Sequence, residues 1–578
     1  MFKLARYLKY YKKEVVLGPL FKLIEAIFEL IVPLVMARII DVGIKNQDKG
    51  YILKMGGIMV LLGVLGLGFA LICQYQASVA SQGVGTRIRN DLFRQINSLS
   101  HREIDQLGTP SLITRITNDV NAIQVAVAML IRLVVRAPFL VVGAAIMAVG
   151  LDRRLSMIFL VIIPLVALVL YLVMSRSIPF YRIIQRKLDR ISLVLRENLE
   201  GVRIIRAFSK QKNERERFEQ AGDDWMQTSV RVGKIGALLN PATYLIMNLA
   251  ILAVLWFGGI RVDNGALSQG EIIAFVNYLT QILLALVVVA NLVVIFTKAS
   301  ACSARINEVL EMQSSLAESV SPSAPGNGDQ TPKIEFKNVS FSYHKNKEYA
   351  LTDISVKIFP GETIGIIGGT GSGKSTLVNL IPRFYDVDEG QILVDGVDVR
   401  EYAFADLRRL MGLVPQRAVL FSGTLAENLC WGRSEAAQAD MERALRIAQA
   451  EDFVSRLPDG YDSRIEQGGK NLSGGQKQRL TIARALVMEP DILILDDSAS
   501  ALDYATDAAL RKAIRTETRN MTVLIVSQRA NSIRYADKII VLDDGEVNGI
   551  GTHEELYDTC ELYREICLSQ QSGKEENA

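Results

Sequence analysis

GGTGSGKST, at residues 368–376, is the stretch from which the fold of the C-terminal half can be predicted. It matches the pattern G-x-x-x-x-G-K-[ST], follows the β-branched run TIGII (363–367) and precedes an apolar segment (377–381). This order predicts a buried parallel strand, a glycine-rich turn and a helix. Glycines let such a turn point its N–H groups inward at the start of the helix, where a phosphate binds. The residues expected to cradle the phosphate are Gly368, Gly369, Thr370, Gly371, Ser372, Gly373, Lys374, Ser375 and Thr376. A glycine-rich turn without a ligand is the alternative.

Two later motifs favour the phosphate site over an empty turn. In DILILDDSASAL (491–502), an apolar run ends at Asp496, which places a carboxylate beside the phosphate turn. There it can ligate Mg²⁺ together with Ser375, while Lys374 reaches the β- and γ-phosphates. Upstream, LSGGQ (472–476) precedes the helical pattern KQRLTIARAL, so Ser473 is predicted to cap a helix whose first amides face an anion.

The N-terminal half has the pattern of a membrane protein. The chain has 578 residues, which is long enough for more than one domain, and 49% of them are hydrophobic. Six apolar stretches approach the length of about 20 residues that a spanning helix needs. They lie near 15–40, 52–77, 124–150, 155–175, 237–260 and 271–297. These stretches exclude a soluble P-loop kinase or switch, and predict an all-α six-helix transmembrane domain ahead of an α/β domain.

Basic residues indicate the orientation. Lys and Arg concentrate in the N-terminus, in 78–123 and in 176–236, which predicts a multi-pass protein of the cell membrane with its nucleotide-binding domain and both termini in the cytoplasm. Helical patterns at 109–124 and 201–221 suggest that spanning helices extend into the cytoplasm, where their tips contact the nucleotide-binding domain, one of them near Gln416.

The predicted domains follow from these patterns. Residues 1–312 form the transmembrane domain with long intracellular helices, the Ser-, Pro- and Gly-rich 313–332 a linker, 333–570 the nucleotide-binding domain, and 571–578 a disordered tail. The net charge of +3 gives no reason to expect a nucleic-acid partner. The five cysteines have no CxxC spacing, so neither a zinc site nor a disulfide framework is expected.

Taken together, the motifs resemble those of ABC transporters of the exporter type, as one half-transporter with its membrane domain fused ahead of its ATPase domain. The resemblance implies that Tyr343 stacks on adenine and that Gln416 senses Mg²⁺. It further implies that Asp503, in SALD (500–503), lies at the dimer interface. In the family, ATP lies between the phosphate loop of one subunit and the signature of the other. The signature residues here are Ser473, Gly474, Gly475 and Gln476. A second half-transporter, membrane lipid and a hydrophobic or amphipathic small molecule are therefore the expected partners.

Two residues depart from the family pattern. Asp497 stands where the family has the glutamate that activates water, and Gln528 stands where it has a histidine that contacts the γ-phosphate. The shorter carboxylate falls about 1 Å short of its task, which can cost about 100-fold in rate. We therefore expect a site that binds ATP and hydrolyses it slowly, within a heterodimer whose partner supplies the missing groups. Multidrug export is expected by analogy. A homodimeric exporter of lipid or peptide, with two slow sites, and a mainly regulatory ATP-sensing subunit are the alternatives.

Charged residues also occur inside the predicted spans. Glu25 and Glu29 lie four apart in the first, and Arg132 and Arg136 four apart in the third. Such charges face a cavity or each other because burying them in a bilayer is costly. A polar export cavity for cationic compounds and an ion-pair network between helices both remain open.

Overall fold

The computed structural model describes residues 2–318, 331–343, 348–518 and 520–575. It divides into two compact units, Met1–Asn97 with Gly108–Met312, and Ser98–Leu107 with Gln313–Ala578. Most of the predicted linker (319–330) and the end of the predicted tail (576–578) lie outside the described residues. The last helix ends at Glu575 and therefore includes residues 571–575, for which the sequence predicted disorder.

The first unit is helical throughout its described residues. Its α-helices span Lys12–Arg38, Lys49–Ser98, Thr109–Thr114, Val120–Met129, Arg136–Leu151, Met157–Glu200, Val202–Ala207, Gln211–Ala237, Leu239–Asp263 and Gln269–Glu311. A 3₁₀ segment (Phe2–Tyr11) and three π-helical segments (Ile39–Ile44, Arg115–Asp119 and Leu130–Val134) join them. Ser268 and Glu271 start the last helix with a capping box, in which each side chain accepts the other residue's N–H.

Five helical stretches among the described residues are long and apolar enough to cross a membrane. They are Lys49–Ser98, Thr109–Leu151, Met157–Ser177, Gln211–Asp263 and Gln269–Glu311. The remaining predicted span lies in the helix Lys12–Arg38, which carries Lys22, Glu25 and Glu29 and is not among the five. The prediction of a helical transmembrane domain is thus confirmed.

The charges inside this domain are largely paired. Lys22 contacts Glu25 at 2.6 Å, and Arg136 contacts Glu29 at 2.6 Å, bridging two helices. These contacts favour the ion-pair network over a pair of free carboxylates facing a substrate, because each glutamate already has a cationic partner. Arg132 makes no ion pair within the described part of the chain.

The second unit is built on three β-sheets. Its strands are β1 (Ile334–Phe341), β2 (Leu351–Ile358), β3 (Thr363–Gly368), β4 (Glu389–Val394), β5 (Val397–Asp398), β6 (Met411–Val414), β7 (Gly423–Thr424), β8 (Arg464–Ile465), β9 (Ile492–Asp496), β10 (Thr522–Val526), β11 (Lys538–Asp543) and β12 (Glu546–Gly551). The central sheet has the order β12-β11-β3-β10-β9-β6, with only β12 antiparallel to its neighbour. A four-stranded antiparallel sheet has the order β2-β1-β4-β5, and β7 pairs with β8.

Helices flank the central sheet. The α-helices of this unit are His101–Leu107, Lys374–Leu380, Phe404–Arg409, Leu425–Leu429, Gln438–Ile447, Glu451–Val454, Gly474–Val487, Tyr504–Glu517, Ala530–Ile533, His553–Thr559 and Glu561–Glu575. Short 3₁₀ turns occur at Val399–Glu401, Cys430–Gly432, Gly460–Asp462 and Gln467–Gly469. Every residue of strands β9 and β10 is buried. This agrees with the uninterrupted apolar runs that are typical of strands in a parallel sheet. The predicted α/β fold is therefore confirmed.

Candidate functional site

A cavity of about 360 Å³ is formed mainly by residues that follow or end the parallel strands β3, β6, β9 and β10, with Tyr343 and Ala350 from the segment between β1 and β2. Ligands of open α/β sheets bind at the carboxyl ends of the strands, and this volume is within the range of small-molecule sites. The lining residues are Tyr343, Ala350, Thr370, Gly371, Gly373, Lys374, Ser375, Thr376, Gln416, Asp496, Asp497, Val526 and Gln528. The fold thus brings together residues that are far apart in the sequence.

The turn between β3 and the next helix requires glycine at two positions. Gly373 has a φ of 91°, and a Cβ there would lie 2.7 Å from Leu351 and 2.8 Å from the carbonyl of Ala350. A Cβ on Gly368 would lie 2.1 Å from the carbonyl of Leu542. All three distances are shorter than real Cβ contacts, so the turn itself requires glycine at the two fixed positions of the pattern G-x-x-x-x-G.

Lys374 lies in the centre of this turn with only 8% of its surface exposed. Its ammonium donates to the carbonyl of Gly368 at 3.1 Å, to the carbonyl of Gly369, and to the Ser372 hydroxyl at 3.2 Å. Burial lowers the pKa of Lys374, and the nearby carboxylates of Asp497 and Asp496 oppose this shift. These oxygens hold the ammonium beside the position predicted for the phosphates.

Ser375 and Asp496 form the candidate Mg²⁺ site. The Ser375 hydroxyl donates to Oδ1 of Asp496 at 2.9 Å. Burial raises the pKa of Asp496, the hydrogen bond from Ser375 opposes this, and the charge of Asp497 raises it further. A buried carboxylate next to another is stabilised by a cation, and hydroxyl and carboxylate oxygens suit Mg²⁺. No cluster of three or more His, Cys, Asp or Glu that could hold a metal ion occurs in the described residues.

Asp497 follows β9 with its backbone in the left-handed region, at a φ of 45°. Aspartate tolerates this conformation better than most residues. Its carboxylate accepts a hydrogen bond from the Gln416 amide at 3.3 Å. Burial raises the pKa of Asp497, and the hydrogen bond from Gln416 opposes the shift. Gln416, predicted from the resemblance to sense Mg²⁺, is therefore directed at Asp497 in this structure.

Gln528 lies two residues beyond the end of β10, and its side chain lines the cavity. The loop around it is fixed through Ser527, whose N–H donates to the carbonyl of Ile366 at 3.0 Å and whose hydroxyl accepts from the N–H of Arg529 at 2.9 Å. Gln528, which replaces the histidine of the family pattern, thus lies at the cavity.

The signature and Asp503 do not line this cavity. Ser473 caps the helix Gly474–Val487 in a capping box with Gln476, as the sequence predicts for Ser473. Asp503 caps the helix Tyr504–Glu517, where both carboxylate oxygens accept from Thr506. Within this chain, the signature residues and Asp503 therefore lie outside the cavity lined by the phosphate turn.

The short helix His101–Leu107 contacts Tyr343, the residue predicted to stack on adenine. The sequence analysis did not predict this contact. Arg102 donates to the carbonyl of Ser342 at 3.0 Å and to that of Tyr343 at 3.4 Å. Asp105 accepts from the hydroxyl of Tyr385 at 2.9 Å, and the Tyr385 ring packs edge-on against Tyr343 with centroids 5.3 Å apart. This contact lies just ahead of the segment 109–124, whose own predicted contact with the nucleotide-binding domain stays a prediction.

Two lining residues, Ala350 and Val526, were also not predicted. Val526 ends β10 and is paired with Asp496 across the parallel sheet, so the position of the strand ends could have identified it. Ala350 precedes β2 and carries no local signal. It reaches the cavity because its N–H donates to the carbonyl of Phe341 at 2.7 Å.

Comparison with known proteins identifies the family. Residues 15–286 match the family described as ABC transporter transmembrane region, and residues 351–500 match the family described as ABC transporter. An uncharacterized ABC transporter ATP-binding protein of Mycobacterium tuberculosis is 39% identical over 98% of this chain and 97% of its own. A Bacillus subtilis protein with the provisional name multidrug export ATP-binding/permease protein YgaD is 31% identical over 99% of each chain. The solved structure of a bacterial Atm1-family ABC exporter with ATP bound matches with a TM-score of 0.77, at 25% identity over 98% of both chains. The chain therefore belongs to the ABC transporter family, as an exporter that carries its transmembrane region and its ATPase domain on one polypeptide.

Proposed function

We propose that this exporter subunit is one half of a heterodimer, that its own site binds ATP and hydrolyses it slowly, and that the complex moves amphipathic compounds outward across the cell membrane. The observation that carries the proposal is Asp497. Its short carboxylate, held by Gln416, occupies the position of the water-activating glutamate, and Gln528 occupies that of the histidine. Lys374, Ser375 and Asp496, the residues proposed to hold the phosphates and Mg²⁺, line the same cavity, which supports nucleotide binding. The site therefore binds ATP but hydrolyses it slowly.

Different residues of the cavity bind different parts of the nucleotide. Tyr343 stacks on adenine, and the amides of Gly371 and Gly373 with the ammonium of Lys374 hold the phosphates. Ser375 and Asp496 hold Mg²⁺, which neutralises charge on the phosphates. Gln528 donates a hydrogen bond toward the γ-phosphate but carries no charge that would stabilise the transition state. The carboxylate of Asp497 is too short to contact the attacking water well, so the rate of ATP hydrolysis is low.

Two features of the chain support assembly with a second subunit. The signature Ser473–Gln476 is largely exposed and outside the cavity, so ATP can meet a signature only from another chain. The tip of the second intracellular segment exposes Ile204 and Phe208, and the ATPase domain exposes the stacked pair Phe421 and Trp431, whose centroids are 4.1 Å apart. We infer that the tip of one subunit packs on the aromatic pair of the other.

The direction and the class of substrate follow from the membrane half and the relatives. The basic segments support a cytoplasmic position for the ATPase domain and both termini. The likeness to exporters supports transport outward. The relative YgaD carries a name that assigns it to multidrug export, which supports amphipathic drugs as substrates. The pairing of Glu25 with Lys22 and of Glu29 with Arg136 argues that these carboxylates brace helices rather than bind cationic drugs.

The heterodimer is tested by making two differently tagged copies of this chain together in its own cells. We expect that purification through one tag brings down a different half-transporter and not the second tag, and that the resulting complex hydrolyses ATP much faster than the chain purified alone. Recovery of both tags in one complex with rapid hydrolysis would contradict the proposal. Recovery of both tags with slow hydrolysis would favour the homodimer with two slow sites. Transport that persists without the partner's glutamate would favour a regulatory role.

The contact between the helix His101–Leu107 and Tyr343 yields a separate prediction. Replacing Arg102→Ala removes both hydrogen bonds to the backbone of Ser342 and Tyr343. Because the backbone then holds the aromatic ring less firmly, we expect the KM for ATP to rise about fivefold, with little change in kcat. This corresponds to about 1 kcal/mol, since the two bonds from the guanidinium are at most partly buried. Steady-state ATPase assays of the complex in lipid measure both constants.

Arg94→Ala is the matched control for this prediction. Arg94 lies in the preceding helix, is 81% exposed at its side chain, and pairs with Asp91 one turn away. Removing it leaves the backbone at Tyr343 untouched, so its KM for ATP should equal that of the unaltered protein. Equal KM values for the Arg102 and Arg94 variants would show that the helix does not set nucleotide binding.

A further inference from the structure

The C-terminal helix, Glu561–Glu575, places one polar side chain on its buried face. Tyr563 is fully buried and Cys567, four residues on, is 4% exposed, and both belong to the core of the ATPase domain. Gln570 follows three residues later and therefore lies on the same face of the helix. An apolar residue would continue the packing there, so the choice of an amide needs a reason.

Gln570 uses both ends of its amide on the loop that carries Gln528. Its Nε2 donates to the carbonyl of Gln528 at 2.8 Å, and its Oε1 accepts from the N–H of Ala530 at 2.9 Å. A neutral amide is the side chain that offers a donor and an acceptor together. Ala530 begins the helix Ala530–Ile533, whose first N–H groups have no partner within the helix. The side chain thus satisfies backbone groups on both sides of Arg529.

These two contacts hold the backbone on either side of Arg529, including the carbonyl of Gln528. Ser527 anchors the start of the loop to β3 through its N–H, while Gln570 holds the carbonyl of Gln528 itself. The backbone of Gln528 is therefore held from the strand on one side and from the C-terminal helix on the other. The helix is in turn anchored by Tyr563, whose hydroxyl contacts Nδ1 of His553 at 2.9 Å. Hydrogen bonds that range from partly buried to exposed thus connect the core of the ATPase domain to the backbone of Gln528.

We propose that Gln570 is a positioning residue that aims Gln528 at the γ-phosphate, so that the C-terminal helix sets how strongly the site distinguishes ATP from ADP. This rests on the proposed place of Gln528 at the γ-phosphate, and it is independent of the proposed heterodimer. The adenine and the first two phosphates are bound by other residues. Loss of the Gln570 contacts therefore weakens the binding of ATP and leaves that of ADP unchanged.

The test compares dissociation constants for ATP and ADP in the full chain, embedded in lipid with Mg²⁺ present and measured in the cold. Gln570→Ala removes both contacts, and Gln570→Glu keeps the acceptor for the N–H of Ala530 but loses the donor to Gln528. We expect either change to weaken ATP binding about fivefold, as for one neutral hydrogen bond, and to leave ADP binding as it was. Ser569→Ala is the control, because among the described residues that exposed hydroxyl bonds only to the carbonyl of Ile566 in its own helix.

A double substitution separates positioning from mere support of the fold. In a Gln528→Ala chain there is no side chain to aim, so adding Gln570→Ala should cause no further loss of ATP binding. A parallel loss of ATP and ADP binding, an additive double variant, or no change in the Gln570 variants would each overturn the inference. A chain that binds neither nucleotide before any substitution would instead overturn the proposed function.

Discussion

Replacing Asp497→Glu together with Gln528→His is expected to raise ATP turnover at this chain's own site by about 100-fold, the factor that a misplacement near 1 Å can cost. The longer carboxylate reaches past the amide of Gln416 to the attacking water, and the imidazole can carry charge toward the γ-phosphate. Nucleotide binding should change little, because Lys374, Ser375 and Asp496 are untouched. The measurement is phosphate release by the assembled complex in lipid, with the partner's own glutamate replaced by glutamine so that one site is observed.

The matched control is Asp497→Gln with Gln528→His. Asp497 has a φ of 45°, a conformation that glutamate and glutamine accept less easily than aspartate. Both variants therefore carry the same backbone cost and the same side-chain length, and they differ only in the carboxylate. Turnover should rise with glutamate and stay low with glutamine. If both double variants remain as slow as the unaltered protein, something other than these two side chains limits the site.

Much of this site could be predicted because it depends on short-range patterns. The turn from Gly368 to Thr376 needs glycine for its own geometry, and Asp496 ends a strand that is apolar without interruption. Parallel strands place such ends along one edge of a sheet, so that the phosphate turn and the carboxylate meet. The departures at Asp497 and Gln528 were identified through the resemblance to the family, whose glutamate and histidine occupy those two positions.

The contacts that were missed depend on tertiary packing. Nothing in the local sequence distinguishes His101–Leu107 from the neighbouring helical pattern, yet it is this segment that meets Tyr343. Gln416 carries no sign that its amide binds Asp497, because the two are 81 residues apart. The amide of Gln570 is likewise separated by 42 residues from the carbonyl that it holds. Such pairings are set by how helices pack on the sheet, which periodicity alone does not specify.

Gly474→Asp is the second substitution with a large expected effect, a loss of about 100-fold in ATP hydrolysis by the complex, comparable to removing a donor from a transition state. Gly474 is exposed at the start of the signature helix, and a Cβ there meets nothing within 4 Å in this chain. In the assembled complex we expect it to face the γ-phosphate of ATP bound to the partner. A carboxylate at that point would repel the phosphate, whereas ATP on this chain's own loop should bind as before.

We expect the fold to tolerate Gly474→Asp, so that a loss of hydrolysis can be assigned to the site and not to unfolding. An acidic residue in the first turn of a helix is favoured by the helix dipole, so the midpoint of thermal unfolding should not fall. Gly474→Asn has nearly the same size without the charge, and its smaller loss of hydrolysis would separate repulsion from crowding. Nucleotide binding at each site and phosphate release by the complex are the two measurements. Full hydrolysis in the aspartate variant would mean that this signature serves no catalytic site, and the division of labour between the two subunits would have to be abandoned.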